Sequence, residues 1–305
     1  MLYRTKKIFI ALAENLLPRR REKSPKLIMT LLVKNEEKVL EQNLLFHKYM
    51  GVDSFIITDN DSSDNTPQII QKYIDKGWVV ESIKDYGKGH LQKIKVDRMI
   101  WSAKRNHGAD WVINGDADEF WYSPKGDLKS EMGGRENILK CKSINIYPEE
   151  GKEFWECDKL IKPIPDPSQY NLSPFNIFKN YTYKVAHSTL GYLKISMGNH
   201  KVVLFPARKK MSEITIFHYN ILDRASFISK TTKSGPRPHL KKKKKKATSR
   251  HWQYFYNLYT QGKLDQEYDR VIGAEHFDEF QKLEYIYKDD RVAKIIKKIL
   301  EKGDA

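Results

Sequence analysis

The sequence predicts an α/β fold: a mainly parallel sheet flanked by helices, with a helical C-terminal region. Three observations predict it. From residue 26 to about 122, apolar runs alternate with amphipathic stretches of helical length. Polar, turn-forming loops follow the runs, and after Asp223 the spacing of apolar residues is mostly helical.

The first run, Leu27-Ile28-Met29-Thr30-Leu31-Leu32-Val33, is continuous in the way of a strand buried on both faces, and it ends at Lys34-Asn35. Residues 36–49 then place Val39, Leu40, Asn43, Leu44, Phe46 and His47 at helical spacing, closed by Met50-Gly51. A second strand, Phe55-Ile56-Ile57-Thr58, leads into the polar loop Asp59-Asn60-Asp61-Ser62-Ser63-Asp64-Asn65 and a helix over 67–76 that opens on Pro67. Trp78-Val79-Val80 forms a third strand, 90–106 a long basic helix, and Trp111-Val112-Ile113-Asn114 a fourth strand. Strands separated by helices of this length pair in parallel through right-handed crossovers, and such sheets bind ligands beyond the carboxyl ends of their strands.

Beyond Pro124 the rhythm weakens. Residues 126–135 read as loop, 144–147 as strand, and 148–174 are rich in Pro, acidic and aromatic residues that suit an acceptor site. Strand-like segments recur within 183–203 and 213–219; helices are expected at 225–231, 252–259 and 292–300. The organisation expected is a basic arm at 1–25, a main domain at 26–222 divided at residue 122, and a helical region at 223–305 with a Lys-rich loop at 233–250.

With 305 residues, 40% of them hydrophobic, the chain can bury a large core. The formal net charge is +16, and the six consecutive lysines Lys241 to Lys246 account for much of it. Like charges packed this densely repel, so the run reads as a solvated loop that can also rest on an anionic membrane surface. The apolar stretch at 8–13 is too short to cross a bilayer. Cys141 and Cys157 show no metal-binding spacing, and two reduced thiols suit a cytosolic chain. Basic character alone suggests nucleic acid as well, but no nucleic-acid-binding module accompanies it, and no specific nucleic acid is expected.

Asn114-Gly115-Asp116-Ala117-Asp118-Glu119-Phe120 follows an apolar strand, which places its carboxylates at the functional edge of the sheet. Two carboxylates one residue apart can hold Mg²⁺ or Mn²⁺, with positions left open for substrate phosphates; they can equally be an acidic surface turn. Val33-Lys34-Asn35-Glu36-Glu37 and Asp59-Asn60-Asp61-Ser62-Ser63-Asp64-Asn65-Thr66 lie at the same edge, and each also reads as helix capping.

Taken in order, these three motifs resemble the family 2 glycosyltransferases of the GT-A (Rossmann-like) fold, in a bacterial branch reading VKNEE, DNxSxDNT and DADEF. The resemblance covers residues 26–122 clearly and extends more loosely to about 230. It implies transfer of a sugar, with inversion, from a nucleotide-sugar donor, expected to be a UDP-sugar. The implied acceptor is a carbohydrate or glycolipid, such as a surface polysaccharide or lipopolysaccharide. It implies that Asn35, Glu36, Asp59 and Asp116 bind the nucleotide sugar, Asp59 through the base. Asp116 and Asp118 fall on the family's metal motif, with Asp118 the direct metal ligand and a catalytic residue. Asn60 stands where the family commonly has Asp.

Gly198-Asn199-His200 and Ile216-Phe217-His218-Tyr219 resemble further segments of the branch, which makes His218 and His200 candidate metal ligands; His187 is a weaker third. An inverting transfer needs a carboxylate base. Glu149, Glu150, Glu153, Glu156 and Asp158 follow the metal motif, and Glu153 is the residue assigned. The expected setting is cytoplasmic, peripheral to the inner face of the plasma membrane. A nucleotidyltransferase of similar fold is the alternative; it predicts a glycine-rich loop after the first strand, where this chain has none.

Overall fold

The computed structural model describes residues 24–85, 92–234 and 250–302. Residues 1–23 of the basic arm expected at 1–25, the start of the helix expected at 90 and the Lys241 to Lys246 run lie outside the described residues.

The chain separates into two compact units. The first runs to Ser143, resumes over Thr182–His218 and includes the chain from Lys298; the second comprises Ile144–Tyr181 and Tyr219–Lys297. The sequence places the boundary at 222. The difference has a physical source in the second unit's core, where Tyr147, Ile161, Ile164 and Phe178 pack with Phe227, Phe255, Tyr268 and Phe280. Residues expected to shape a separate half therefore share a core with the C-terminal helices.

In the first unit, β1 (Leu27–Val33), α1 (Leu40–Tyr49), β2 (Ser54–Asp59), α2 (Thr66–Asp75), β3 (Val79–Lys84), α3 (Gln92–Arg105) and β4 (Trp111–Gly115) realise the expected alternation. β1 is buried along nearly its whole length, as its unbroken apolar run requires. It pairs in parallel with β2 on one side and β4 on the other, and β2 pairs in parallel with β3. The α/β, Rossmann-like class expected from the sequence is the class observed.

The sheet continues with antiparallel strands. β5 (Glu119–Tyr122), β6 (Ile138–Asn145), β8 (Thr182–Ser188) and β11 (Lys209–His218) complete an eight-stranded sheet in the order β3-β2-β1-β4-β8-β6-β11-β5. β9 (Tyr192–Ile195) and β10 (Val202–Leu204) form a separate antiparallel pair. Ile28, Ile56, Met99, Ile100 and Val112 are among the buried side chains between the parallel strands and α3.

The second unit pairs the short strands β7 (Lys159–Ile161) and β12 (Ile286–Lys288). Its helices α4 (Arg224–Ser234), α5 (Arg250–Thr260), α6 (Leu264–Ile272) and α7 (Phe277–Lys282) form the expected helical extension, and α8 (Arg291–Glu301) follows them. Both cysteines are free and buried. Among the described residues no helix is long and apolar enough to cross a membrane.

Candidate active site

The register of the parallel strands decides which loops share an edge. Val33 stands opposite Asp59 and Leu31 opposite Gly115, so Asp59 and Asp116 flank the carboxyl end of β1 on its two sides. Packing at Gly115 is close: a Cβ there would lie 2.5 Å from the end of the Met29 side chain, which would have to shift.

From Gly115 the chain turns through Asp116-Ala117-Asp118 into β5, which pairs antiparallel with β11 so that Glu119 faces His218. That register carries His218 to the Asp116–Asp118 turn: its Nε2 lies 3.7 Å from the Asp118 carboxylate. Two cis ligands at ~2.1 Å from one cation stand roughly 3 Å apart, close to this separation. Among the described residues no three His, Cys, Asp or Glu side chains are gathered so as to cage an ion by themselves. Asp118 and His218 supply two donors. That set fits a Mg²⁺ or Mn²⁺ ion that completes its shell with substrate phosphate oxygens and water.

Asp116 has a different partner. Lys184 of β8 reaches the carboxyl end of β4, because Ala186, two residues along, stands opposite Ile113. Its Nζ is 2.6 Å from Asp116 and 2.5 Å from Glu119, with the lysine and Glu119 almost completely enclosed. Enclosure alone raises the Asp116 carboxyl; the charge and hydrogen bond of Lys184, helped by His218 and His200, reverse this and hold it below its ordinary value. Burial dominates at Glu119 and pushes its carboxyl up, against the pull of Lys184. Burial lowers the Lys184 ammonium, but Glu119 and Asp116 outweigh it and hold the ammonium above its usual range. The lysine is thus a charged pin between two carboxylates, and it fixes Asp116 while leaving nearly half of that side chain exposed.

The motifs after β1 and β2 are joined to each other. The backbone N–H of Asn35 donates to Ser62 Oγ, that of Glu36 to Thr66 Oγ1 and that of Glu37 to Asp64. In return Ser63 N–H donates to the Asn35 side-chain oxygen and Asn65 N–H to Glu37. Asn35 adopts φ +56, a left-handed conformation that Asn tolerates. The helix expected from 36 begins at Leu40, after a turn in which the Val39 and Leu40 N–H groups both donate to the Glu36 carbonyl. The reciprocal bonds give the Asn35 side chain and the Glu36 backbone structural roles in the loop.

Asp59 is buried and accepts a hydrogen bond from Ser62 N–H. Beside it, buried Lys95 of α3 donates to the Asn60 side-chain oxygen at 2.5 Å and pairs with Asp85 at 3.2 Å. Asn60 therefore holds an ammonium that is already neutralised by Asp85.

The other histidines divide by environment. His200 is exposed, and its Nδ1–H donates to the Tyr183 carbonyl, which leaves the lone pair on Nε2. Gly198 before it has φ +69, and a Cβ there would meet the His200 ring at 2.8 Å. Asn199 bridges β4 and β8 through the Asn114 and Val185 carbonyls. His187 is fully buried, stacks on Tyr192 and donates to the Ser188 carbonyl; burial lowers it to about 4, the state of a neutral core histidine.

Glu153 belongs to the second unit, where it is exposed and its backbone N–H donates to the Glu156 carboxylate. Of the neighbouring acids, Glu149 pairs with Lys152 and Lys159, Glu150 with Arg224, and Asp158 with Lys288. Sequence reasoning passed over Lys184 and the ion pair of Lys95. Their signal was faint, since a single lysine in a strand or a basic helix reads as solvent-facing.

No protein-family model and no curated protein matches the chain. Among solved structures, it is similar over part of its length to TarS of S. aureus in complex with UDP, at 12% identity and a TM-score of 0.36. That match covers 54% of this chain and 47% of the other, about half of its length. It is also similar to the mannosyltransferase PcManGT from Pyrobaculum calidifontis in complex with GDP-Man and Mn²⁺, at 13% identity and a TM-score of 0.39, covering 90% of this chain and 82% of that one. A third similarity is to GalNAc-T7 with UDP, GalNAc and Mn²⁺, at 11% identity and a TM-score of 0.38, covering 77% of this chain and 55% of that one.

Proposed function

We propose that this chain is a metal-dependent glycosyltransferase that moves a sugar from a nucleotide-sugar donor, in first place a UDP-sugar, to a carbohydrate or glycolipid acceptor. The observation that carries the reading is the approach of His218 to Asp118 at the edge of the sheet where Asp116 and Asp59 also stand. Asp118 and His218 would hold the cation, with His200 as a further donor. The cation supplies positive charge to the diphosphate as the sugar bond breaks.

Asp59 is the acceptor proposed for the nucleoside base, and Asp116, oriented by Lys184, the acceptor for ribose hydroxyls. Glu153 is the carboxylate proposed as base, from the place that the resemblance gives it after the metal motif. The carboxylate would take the acceptor hydroxyl proton as that oxygen attacks the anomeric carbon, opposite the departing nucleoside diphosphate, with inversion. A surface polysaccharide or lipopolysaccharide is the acceptor class proposed. The lysines at 241–246 are proposed to hold the enzyme peripherally on the inner face of the plasma membrane.

A nucleotidyltransferase of similar fold needs free backbone N–H groups after β1 to cradle phosphates. Those of Asn35, Glu36 and Glu37 are bonded to Ser62, Thr66 and Asp64, which disfavours that reading. The experiment is a donor screen: UDP- and GDP-sugars with Mn²⁺ or Mg²⁺, following nucleotide release. Release from at least one donor that depends on the metal supports the proposal, and release from none in any metal sinks it.

A further inference from the structure

α1 carries two polar residues on its buried face. Asn43 and His47 are both fully enclosed, and at i, i+4 they sit one turn apart on the same side. Asn43 Nδ2 donates to the Ala117 carbonyl at 2.8 Å and to the Glu119 carbonyl at 3.0 Å. His47 Nε2 accepts the Trp121 N–H at 3.1 Å, while its Nδ1 lies 2.8 Å from the Asn43 carbonyl. A carbonyl accepts only from an N–H, so the proton is on Nδ1 and the lone pair on Nε2. Burial lowers the imidazole to about 4, which keeps it in this neutral form.

β5 is the last strand of its sheet, so among the described residues one side of its backbone pairs with no strand. Glu119 and Trp121 share a parity and point their backbone groups to that open side. The helix meets them with two side chains in place of a strand, and it grips the carbonyls of both residues that flank Asp118.

We infer that Asn43 and His47 are positioning residues that set the angle at which the Asp116–Asp118 turn presents Asp118 toward His218. The inference rests on the metal-dependent reading above. Enclosed side-chain amides and imidazoles carry a desolvation cost that apolar residues at these positions would avoid. Their hydrogen bonds converge on the turn that holds the metal motif. Removing one leaves a strand group unpaired beside Asp118 and lets the turn rotate.

The test measures Mn²⁺ affinity in the presence of UDP by electron paramagnetic resonance, and UDP affinity without metal by calorimetry. The variants are Asn43→Ala, His47→Asn and His47→Gln. The glutamine amide oxygen reaches about as far as Nε2 and can accept the Trp121 N–H, whereas the shorter asparagine cannot. The expected result is Mn²⁺ binding weakened about tenfold or more in Asn43→Ala and His47→Asn. In His47→Gln it stays within about threefold of wild type, and metal-free UDP binding changes in none of them. Equal Mn²⁺ affinity in all four proteins overturns the inference. So does parallel loss of metal-free UDP binding, or equal loss in His47→Gln and His47→Asn, since a merely structural role predicts both. If the wild-type chain binds UDP with Mn²⁺ and the variants match it, only the positioning role falls. If the wild-type chain binds neither, the glycosyltransferase reading falls, and this one with it.

Discussion

His218 stands directly opposite Glu119 in the antiparallel pairing of β11 with β5, and its Nε2 lies 3.7 Å from the carboxylate of the neighbouring Asp118. Strand register, not nearness in sequence, makes these two side chains a pair. Replacing His218 with Ala is expected to lower Mn²⁺ affinity in the presence of UDP by more than about tenfold. The thermal midpoint without ligand should barely move, because the imidazole is partly exposed. Titration of Mn²⁺ into the UDP complex reads the first effect, and a thermal scan the second.

Lys184 joins Asp116 to an almost fully buried Glu119. Lys184→Met leaves Asp116 and the buried Glu119 carboxyl without their shared cation; because burial already favours the protonated form of Glu119, the expected loss of folding stability is about 1 to 3 kcal/mol. Adding Glu119→Gln to the same chain removes the unpaired buried carboxyl and should recover part of that loss. Urea unfolding of the two single variants and the double one measures the coupling. Additive losses would show that the pair is not an energetic unit.

Two buried histidines set a pH dependence of stability. His47 and His187 are each lowered by burial from 6.5 to about 4. Between those values the unfolded chain binds protons that the folded chain refuses. Stability should therefore fall as the pH drops from about 6.5 toward 4, by on the order of 3 kcal/mol per histidine. Glu119, pushed up by burial to about 8, acts with the opposite sign between 4.5 and 8, so the comparison is made between two proteins. His187→Phe, which can keep the stacking on Tyr192, should unfold in urea with a shallower pH dependence than wild type by about one proton. Identical slopes would place the His187 titration outside this window.

The six lysines at 241–246 lie outside the described residues, and their role is tested by charge alone. Substituting them with Gly and Ser should weaken sedimentation with phosphatidylglycerol vesicles and leave binding to neutral vesicles unchanged. Donor turnover in solution is expected to stay at the wild-type level. Undiminished binding to the anionic vesicles would remove the membrane role.

The parallel half of the sheet was legible because each of its strands is a short apolar run followed by a polar loop, and Asp59 and Asp116 follow from knowing where strands end. Lys184 was not legible: nothing local marks a lysine that is buried by strands distant in sequence. Asn43 and His47 were visible as members of a helical stripe, but their partners lie about 74 residues away across an edge strand. His218 was singled out by resemblance to a motif, and the β5–β11 register accounts for its nearness to Asp118. The grouping of residues 144–181 with the C-terminal helices escaped because scattered aromatics carry no period from which their common core could be read.

Calorimetric titration of UDP reads out whether Asp118 holds a divalent cation shared with a nucleoside diphosphate. With Mn²⁺ present, wild type should bind UDP at least about tenfold more tightly than in EDTA, and Asp118→Asn should lose that gain while keeping the metal-free affinity. UDP binding that is the same with and without Mn²⁺, or a gain that survives in Asp118→Asn, would contradict that role for Asp118.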